Sequence, residues 1–126
     1  MRRTASIADT RVEVTRSIIL GGDRRSPTLE CRVALEHVAG PPIRVRIGVE
    51  WATMMLGGGG NPAAWWELGG ERTRHDVGRS ATAVTSLAQG NGTVGLAIHS
   101  SVDEPTDIWI APIETVSNSE GGFERA

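Results

Sequence analysis

The chain has 126 residues, a net charge of −2 and 13 basic residues, all of them arginine. The lack of lysine excludes a Schiff-base mechanism, and with no basic stripe along the sequence we expect no nucleic-acid partner. The single cysteine, Cys31, excludes an intrachain disulfide and a cysteine metal site, so we interpret it as a small buried hydrophobic residue.

Two further sequence features bear on location and fold class. No apolar run approaches the ~20 residues of a membrane span, and Met1-Arg-Arg lacks the apolar stretch of a signal peptide. We therefore expect a cytoplasmic protein without membrane association. Sixteen glycines, six prolines and several short alternating runs predict an all-β, antiparallel fold with almost no helix, in one domain covering residues 1–126.

The first half of the chain predicts three strands. Residues 1–10 are polar and are expected to be frayed. Residues 11–20, 28–38 and 43–51 are predicted strands, because apolar and polar side chains alternate along them. The second of these is the cleanest pattern, and it favours a sheet with one solvated face.

The second and third strands are expected to pair with each other. The short Gly40-Pro41-Pro42 connection favours an antiparallel hairpin, which would place Glu30, Arg32 and Glu36 near Arg44 and Arg46. Trp51 ends the apolar face of the third strand. We expect it in the core, where its replacement by alanine would cost about 3–5 kcal/mol.

The second half begins with a loop. Residues 57–62 hold four consecutive glycines and cannot form regular structure, whereas residues 63–68 form an apolar run that Gly69-Gly70 ends. Residues 71–79 are ambiguous.

A hairpin is predicted further along the chain. A modest strand over 81–87 precedes Asn91-Gly92, the favoured two-residue hairpin turn, and a return strand is predicted over 93–99. Residues 100–106, with Pro105, are expected to be a loop.

The last segment starts as a strand and changes character. Ile108 and Ile110 face one way and Trp109 the other, and Pro112 bends the strand or places it at an edge. After the apolar Ile113–Val116 run, four polar residues and Gly121-Gly122 favour a turn.

Two segments carry a resemblance to a known family. The string Ile113-Glu-Thr-Val-Ser-Asn-Ser-Glu-Gly-Gly-Phe-Glu124 resembles the signature near the end of glycoside hydrolase family 57 enzymes of the α-amylase and 4-α-glucanotransferase type. Ile47-Gly-Val-Glu-Trp-Ala-Thr-Met-Met-Leu56 is similar to a strand, apolar run and glycine-rich loop of the same domain. The family-motif positions are Glu50, Ser117, Asn118, Ser119, Glu120, Gly121, Gly122, Phe123 and Glu124.

The resemblance implies a fold and a set of partners. In that family the region is a C-terminal β-sandwich, the large two-sheet type shared with galactose-mutarotase-like domains, and it lies outside the catalytic barrel. It implies a truncated sandwich that needs no cofactor and acts beside a separate catalytic barrel chain on α-glucan. Truncation would leave strand edges bare, so we expect a homodimer.

Candidate sugar-binding residues follow the glycine-rich loop. The flat C–H face of a pyranose stacks well on an indole ring, and Trp65 and Trp66 lie beside an adaptable loop of the kind that often carries binding residues. Neighbouring strand residues face opposite ways, so one of the two is expected to be more exposed. Glu67 is the expected hydrogen-bonding neighbour, and burial of both rings in the core is the alternative.

The remaining polar residues give weaker signals. No spacing among the acidic residues picks out a catalytic pair, and the three histidines have no metal-ligand spacing, so neither a catalytic nor a metal site is expected. The candidates are Glu50, Glu67, Glu71, Asp76, Glu114 and Glu120, with His37, His75 and His99.

Three functions are therefore compatible with the sequence. The first is a non-catalytic accessory domain that binds α-glucan. The second is a structural assembly module without sugar binding. The third is a mutarotase-like enzyme, which requires a histidine and a carboxylate facing one pocket.

Overall fold

A computed structural model of the chain describes residues 1–56, 60–113, 116–119 and 122–125, the last two segments by their backbone only. It divides into two compact units, Met1–Val49 and Glu50–Ala126, and each is described by itself. All strand pairs among the described residues are antiparallel. The all-β, antiparallel prediction is confirmed, and the sheets are consistent with a β-sandwich. A single domain over residues 1–126 stays a prediction.

The first unit is a three-stranded sheet in the order β1-β2-β3. Its strands are β1 (Arg2–Ile7), β2 (Thr10–Gly22) and β3 (Pro27–Ala39). The loop between β2 and β3 is closed by Asp23, whose carboxylate accepts hydrogen bonds from the backbone N–H groups of Ser26 and Arg25. These two bonds lower the pKa of Asp23, because they favour the charged carboxylate. The strands predicted at 11–20 and 28–38 are confirmed.

The N-terminal residues differ from the expectation of a frayed end. Strand β1 pairs with β2 from Arg2↔Thr15 to Ile7↔Thr10, and the Met1 amino group donates to the Arg16 carbonyl at 2.7 Å. The side chains of β1 are all exposed, so backbone hydrogen bonds and the Arg2–Glu13 ion pair hold this strand rather than apolar burial. Because β1 is polar and exposed, the hydrophobic pattern of the sequence does not predict this strand.

The predicted strand over 43–51 is absent, and this is a correction. The turn after β3 directs the chain towards the β1–β2 connection instead of along the outer edge of β3. At Gly40, a Cβ would lie 2.3 Å from the Asp9 carbonyl oxygen, and the Pro41 carbonyl accepts a hydrogen bond from the Thr10 hydroxyl at 2.5 Å. This anchored turn prevents the short hairpin that the alternating pattern predicts.

Because the strand over 43–51 is absent, two further predictions are wrong. The cross-strand pairs with Arg44 and Arg46 do not form, and Arg32 instead bonds Glu30 of its own strand. Trp51 is 53% exposed, so the prediction that it belongs to the core is wrong, as is the large cost expected for removing it.

The second unit contains a four-stranded sheet in the order β5-β4-β6-β7. Its strands are β4 (Ala64–Leu68), β5 (Glu71–Arg74), β6 (Arg79–Asn91) and β7 (Leu96–Ile110). Positive φ angles at Gly69 and Gly70, 62° and 81°, fit the two-residue turn between β4 and β5. A separate hairpin pairs β8 (Val116–Ser119) with β9 (Gly122–Arg125).

The β6–β7 connection is longer than predicted. Asn91 pairs with Leu96 across four residues, and its side-chain oxygen accepts hydrogen bonds from the N–H groups of Thr93 and Val94. Asn91 is thus a buried residue whose side chain stabilises this turn. The return strand starts three residues later than predicted.

The loop predicted over 100–106 is part of β7, which is a second correction. The register of β7 jumps between the pairs Ser86↔Ser101 and Val84↔Thr106. Pro105 lies in this irregular stretch, which explains why the sequence favours a loop although the strand continues.

The core of the second unit lies on one face of its four-stranded sheet. Trp66, Leu68 and Ile110 are buried there, with partly buried residues packed around them: Ala81, Val84, Leu87 and Ile108. The alternation predicted for 107–110 is confirmed, since Ile110 is 8% exposed and Trp109 72%.

Candidate functional site

The two adjacent tryptophans of β4 face opposite sides of the sheet, as the sequence predicts. Trp66 is 8% exposed. Its ring stacks on His75 with centroids 4.2 Å apart, and its Nε1–H donates to the His75 carbonyl at 3.1 Å. With its ring covered and its one donor used, Trp66 is a core residue, which leaves Trp65 as the candidate platform.

Trp65 lies on the opposite, more open face, which we call the Trp65 face. Its indole lies against Gly90 of β6, where a Cβ would come within 2.6 Å of the ring. The Arg72 guanidinium lies 3.8 Å from the ring centroid, a cation–π contact. The Arg72 side chain is 58% exposed.

Glu67 lies on the same face, two residues along β4. Its Oε2 accepts two hydrogen bonds from Arg72, from Nη2 at 2.8 Å and from Nε at 3.2 Å. The strand register then places Ala88 beside Glu67 and His99 beside Ala88. Arg72, Glu67, Ala88 and His99 therefore form one row across the four strands.

The small side chain of Ala88 leaves a groove between Glu67 and His99. The groove has a volume of about 420 Å³, and Gly69, Ser86 and Ser101 are among its other lining residues. The row that contains Trp65 and Gly90 adjoins this groove. It lies two residues further along the strands, a distance of about 7 Å. Glu67 and His99 thus line the groove itself, whereas Trp65 and Arg72 lie beside it on the same face.

The groove also bears on the mutarotase-like hypothesis, because it brings a histidine and a carboxylate together. However, Arg72 binds the Glu67 carboxylate from β5, and β5 lies on the opposite side of β4 from His99. A carboxylate paired with an arginine is better suited to hydrogen bonding than to proton abstraction.

The other acidic candidates are not brought together at this groove. Glu71 pairs with Arg79, and Asp76 forms two hydrogen bonds with Arg74, at 2.7 and 3.0 Å. Glu50 is exposed outside any strand. Glu114 and Glu120 lie outside the described residues.

The family-motif residues are only partly described. Ser117, Asn118 and Ser119 belong to β8, and Gly122, Phe123 and Glu124 to β9, with Ser119 paired to Gly122. Gly121 lies outside the described residues. The turn predicted over 117–122 is therefore corrected for residues 117–119 and Gly122, which are strand residues, and its other two positions lie outside the described residues.

His75 is the histidine with the most unusual surroundings. Its Nε2 is buried, and Gln89 lies near it, but no hydrogen bond of acceptable geometry forms within the described residues. Burial lowers the pKa of His75 below its ordinary 6.5, and nearby Gln89 and Asp76 offset this only in part. The imidazole is thus held neutral against Trp66.

This pKa predicts acid-sensitive stability. The unfolded chain takes up a proton at His75 near pH 6.5, whereas the folded chain resists protonation until lower pH. The free energy of unfolding should therefore decrease as the pH falls from 7.5 to 5.5. Urea denaturation across this range, in the wild type and in His75→Phe, measures it. The phenylalanine variant keeps an aromatic ring against Trp66 and should show a shallower decrease; equal slopes would contradict the assignment.

The sequence does not predict two contributors to this site, Arg72 and Gly90, and it assigns no role to His99. Arg72 follows from the two-residue turn at Gly69-Gly70, which fixes the pair Glu67↔Arg72. Gly90 and His99 depend on the register of β6 with β4 and β7, and the four-residue connection between Asn91 and Leu96, which the sequence does not predict, sets the second of these.

Comparison with known proteins decides the family. A family model described as "Alpha-amylase/4-alpha-glucanotransferase, C-terminal" matches residues 1–126. The chain belongs to this family. No curated protein and no solved structure matches it. The resemblance found in the two motif segments is thereby confirmed for the C-terminal domain of the α-amylase/4-α-glucanotransferase type.

Among the described residues, no cluster of three or more His, Cys, Asp or Glu side chains is placed to hold a metal ion. In the same residues, no helix is long and apolar enough to cross a membrane.

Proposed function

We propose that this C-terminal domain is a non-catalytic accessory domain of an α-glucan-processing enzyme and binds α-glucan on its Trp65 face. The observation that carries the proposal is the placement of Trp65 beside the groove between Glu67 and His99. Family membership supports the substrate class. A catalytic barrel, in which the family's nucleophile and acid lie, is the proposed protein partner.

The chemistry of the Trp65 face suits a sugar. An indole offers a flat apolar surface to the C–H face of a pyranose, while charged groups beside it bond the hydroxyls. Arg72 would leave the indole when the sugar stacks, and it would then donate hydrogen bonds to hydroxyl oxygens. Glu67 accepts hydrogen bonds, and His99 contributes from the other wall of the groove.

Titration calorimetry with a maltooligosaccharide tests the proposal. Trp65→Ala should weaken binding at least ten-fold, because the stacking surface is lost, and His99→Ala should weaken it several-fold. Trp109→Ala is the matched control, since this ring is 72% exposed on β7 and has no role in the groove. Unchanged affinity in Trp65→Ala, with a circular dichroism spectrum like that of the wild type, would contradict the site.

A second candidate function is assembly without sugar binding. Apolar side chains are exposed near the loop end of the β2–β3 hairpin, where Ile18, Leu20 and Leu29 are each at least half exposed. Ile18 and Leu20 share one face, and Leu29 lies opposite Leu20. Such a patch favours contact with another protein. A wild-type domain that assembles but gives no heat with maltooligosaccharide would support this second function.

A further inference from the structure

Strand β3 has an edge without a partner in the described part of the chain. Among the residues that the structure describes, the order β1-β2-β3 leaves the outward-facing backbone groups of the 13-residue strand β3 unpaired. Free N–H and C=O groups on such an edge are a template for another strand.

The segment Ile43–Val49 has the sequence of a strand but no partner within the described residues. It makes no backbone hydrogen bond there. Ile47 is 57% exposed and Val49 53%. Alternating apolar side chains that lie in solvent are costly, and a second strand beside them would remove that cost.

The free edge and the free segment are complementary in one register. Antiparallel pairing of Val45 with Leu35, Ile47 with Val33 and Val49 with Cys31 puts apolar side chains opposite one another at each step. The same register sets Gly48 opposite Arg32, where the absence of a side chain gives the guanidinium room.

The same register also brings opposite charges together, because it places Arg44 opposite Glu36. Within its own sheet Glu36 lies directly opposite Glu13, and like charges in that position destabilise a pair. The Arg2–Glu13 ion pair offsets part of this repulsion, and an arginine from a further strand would offset more of it. Arg46 would follow on the same face, opposite Ala34.

A chain cannot make this pairing with itself in the observed fold, because the turn at Gly40 and Pro41 is anchored to Asp9 and Thr10. We propose that Ile43–Val49 of one copy adds as an antiparallel strand to the β3 edge of a second copy, and that the exchange is reciprocal. The two contacts are then identical and related by a two-fold axis, which closes the dimer. This proposal goes beyond glucan binding and does not depend on it.

A disulfide trap tests the proposed register. Opposed residues in antiparallel strands have Cα atoms about 4.5–5.5 Å apart, within the range that a disulfide spans. Val49→Cys in the full chain, treated with a mild oxidant, should therefore bond Cys31 of the second copy and migrate as a covalent dimer on a non-reducing gel. Gly48→Cys is the matched control, since its side chain faces the other side of the strand and should not cross-link.

The outcomes of the trap separate the alternatives. A Val49→Cys dimer that forms at least ten-fold faster than any dimer of Gly48→Cys or the wild type supports the exchange. An internal Cys31 bridge in a monomer would show the intrachain hairpin and overturn the proposal. No bridge at all would also overturn it.

Charge exchange provides a second, reversible test. The single variants Arg44→Glu and Glu36→Arg should each weaken self-association about ten-fold or more, because like charges then face each other. Mixing the two variants restores opposite charges at both contacts and should restore dimers in analytical ultracentrifugation. A mixture that stays monomeric, or single variants that dimerise like the wild type, would contradict the pairing.

Discussion

Trp66→Ala is expected to lower the free energy of unfolding of the second unit by about 3–5 kcal/mol, the range for truncating a large buried aromatic side chain. Trp66 packs with Leu68 and Ile110, stacks on His75 and uses its indole N–H to satisfy a carbonyl. Its removal leaves a cavity and an unpaired acceptor at the centre of the sheet. Urea denaturation followed by circular dichroism measures the loss.

The other tryptophans provide controls for that loss. Trp109→Ala and Trp51→Ala should each change the free energy of unfolding by no more than about 0.5 kcal/mol, because both rings are more than half exposed. A loss for Trp51→Ala as large as that for Trp66→Ala would restore the sequence-based expectation of a buried Trp51. It would also contradict the exposed segment on which the proposed strand exchange depends.

Gly90→Ala is expected to damage both stability and glucan binding. An added Cβ would lie 2.6 Å from the Trp65 ring and 2.7 Å from the Leu96 carbonyl oxygen, distances that real Cβ atoms do not show. Because one of these contacts is backbone, β7 or the indole must move, at a cost of about 1–3 kcal/mol. The indole that moves is the proposed sugar platform, so affinity for maltooligosaccharide should fall with stability.

Gly92→Ala is the matched control for Gly90→Ala. Its added Cβ would meet the Ala63 carbonyl oxygen at 3.9 Å, an ordinary contact. Thermal unfolding and calorimetry on both variants separate a specific clash from a general intolerance of alanine in this region. Equal behaviour of the two would contradict the placement of Trp65 against β6.

Short-range patterns predicted much of this fold. Alternation in 11–20, 28–38 and 107–110 identified strands, and in 107–110 it also identified the buried face, because a side-chain period of two depends only on the local backbone. The same rule divided Trp65 from Trp66 between the two faces of β4. It did not determine which of the two would be buried, since that depends on the packing of Leu68, Ile110 and His75.

The failures have a common cause in long-range contacts. Residues 43–51 have as regular a pattern as β3, but a hydrogen bond from Thr10 to Pro41, 31 residues apart in sequence, turns the chain away from that strand's outer edge. Likewise, the groove needs Glu67, Ala88 and His99 in one row, and register across three strands cannot be obtained from any single segment. The proposed strand exchange reconciles the pattern of 43–49 with its lack of an intrachain partner.

The central claim is that the two neighbouring tryptophans have divided roles, Trp65 for ligand and Trp66 for the core. A ¹H–¹⁵N spectrum of the domain, titrated with a maltooligosaccharide, tests it most directly through the indole N–H signals of its four tryptophans, assigned by single substitutions. We expect the Trp65 signal to shift with ligand concentration while the Trp66 signal, held by its bond to the His75 carbonyl, stays in place. A titration that leaves the Trp65 signal unmoved, or moves only those of Trp51 or Trp109, would contradict the account.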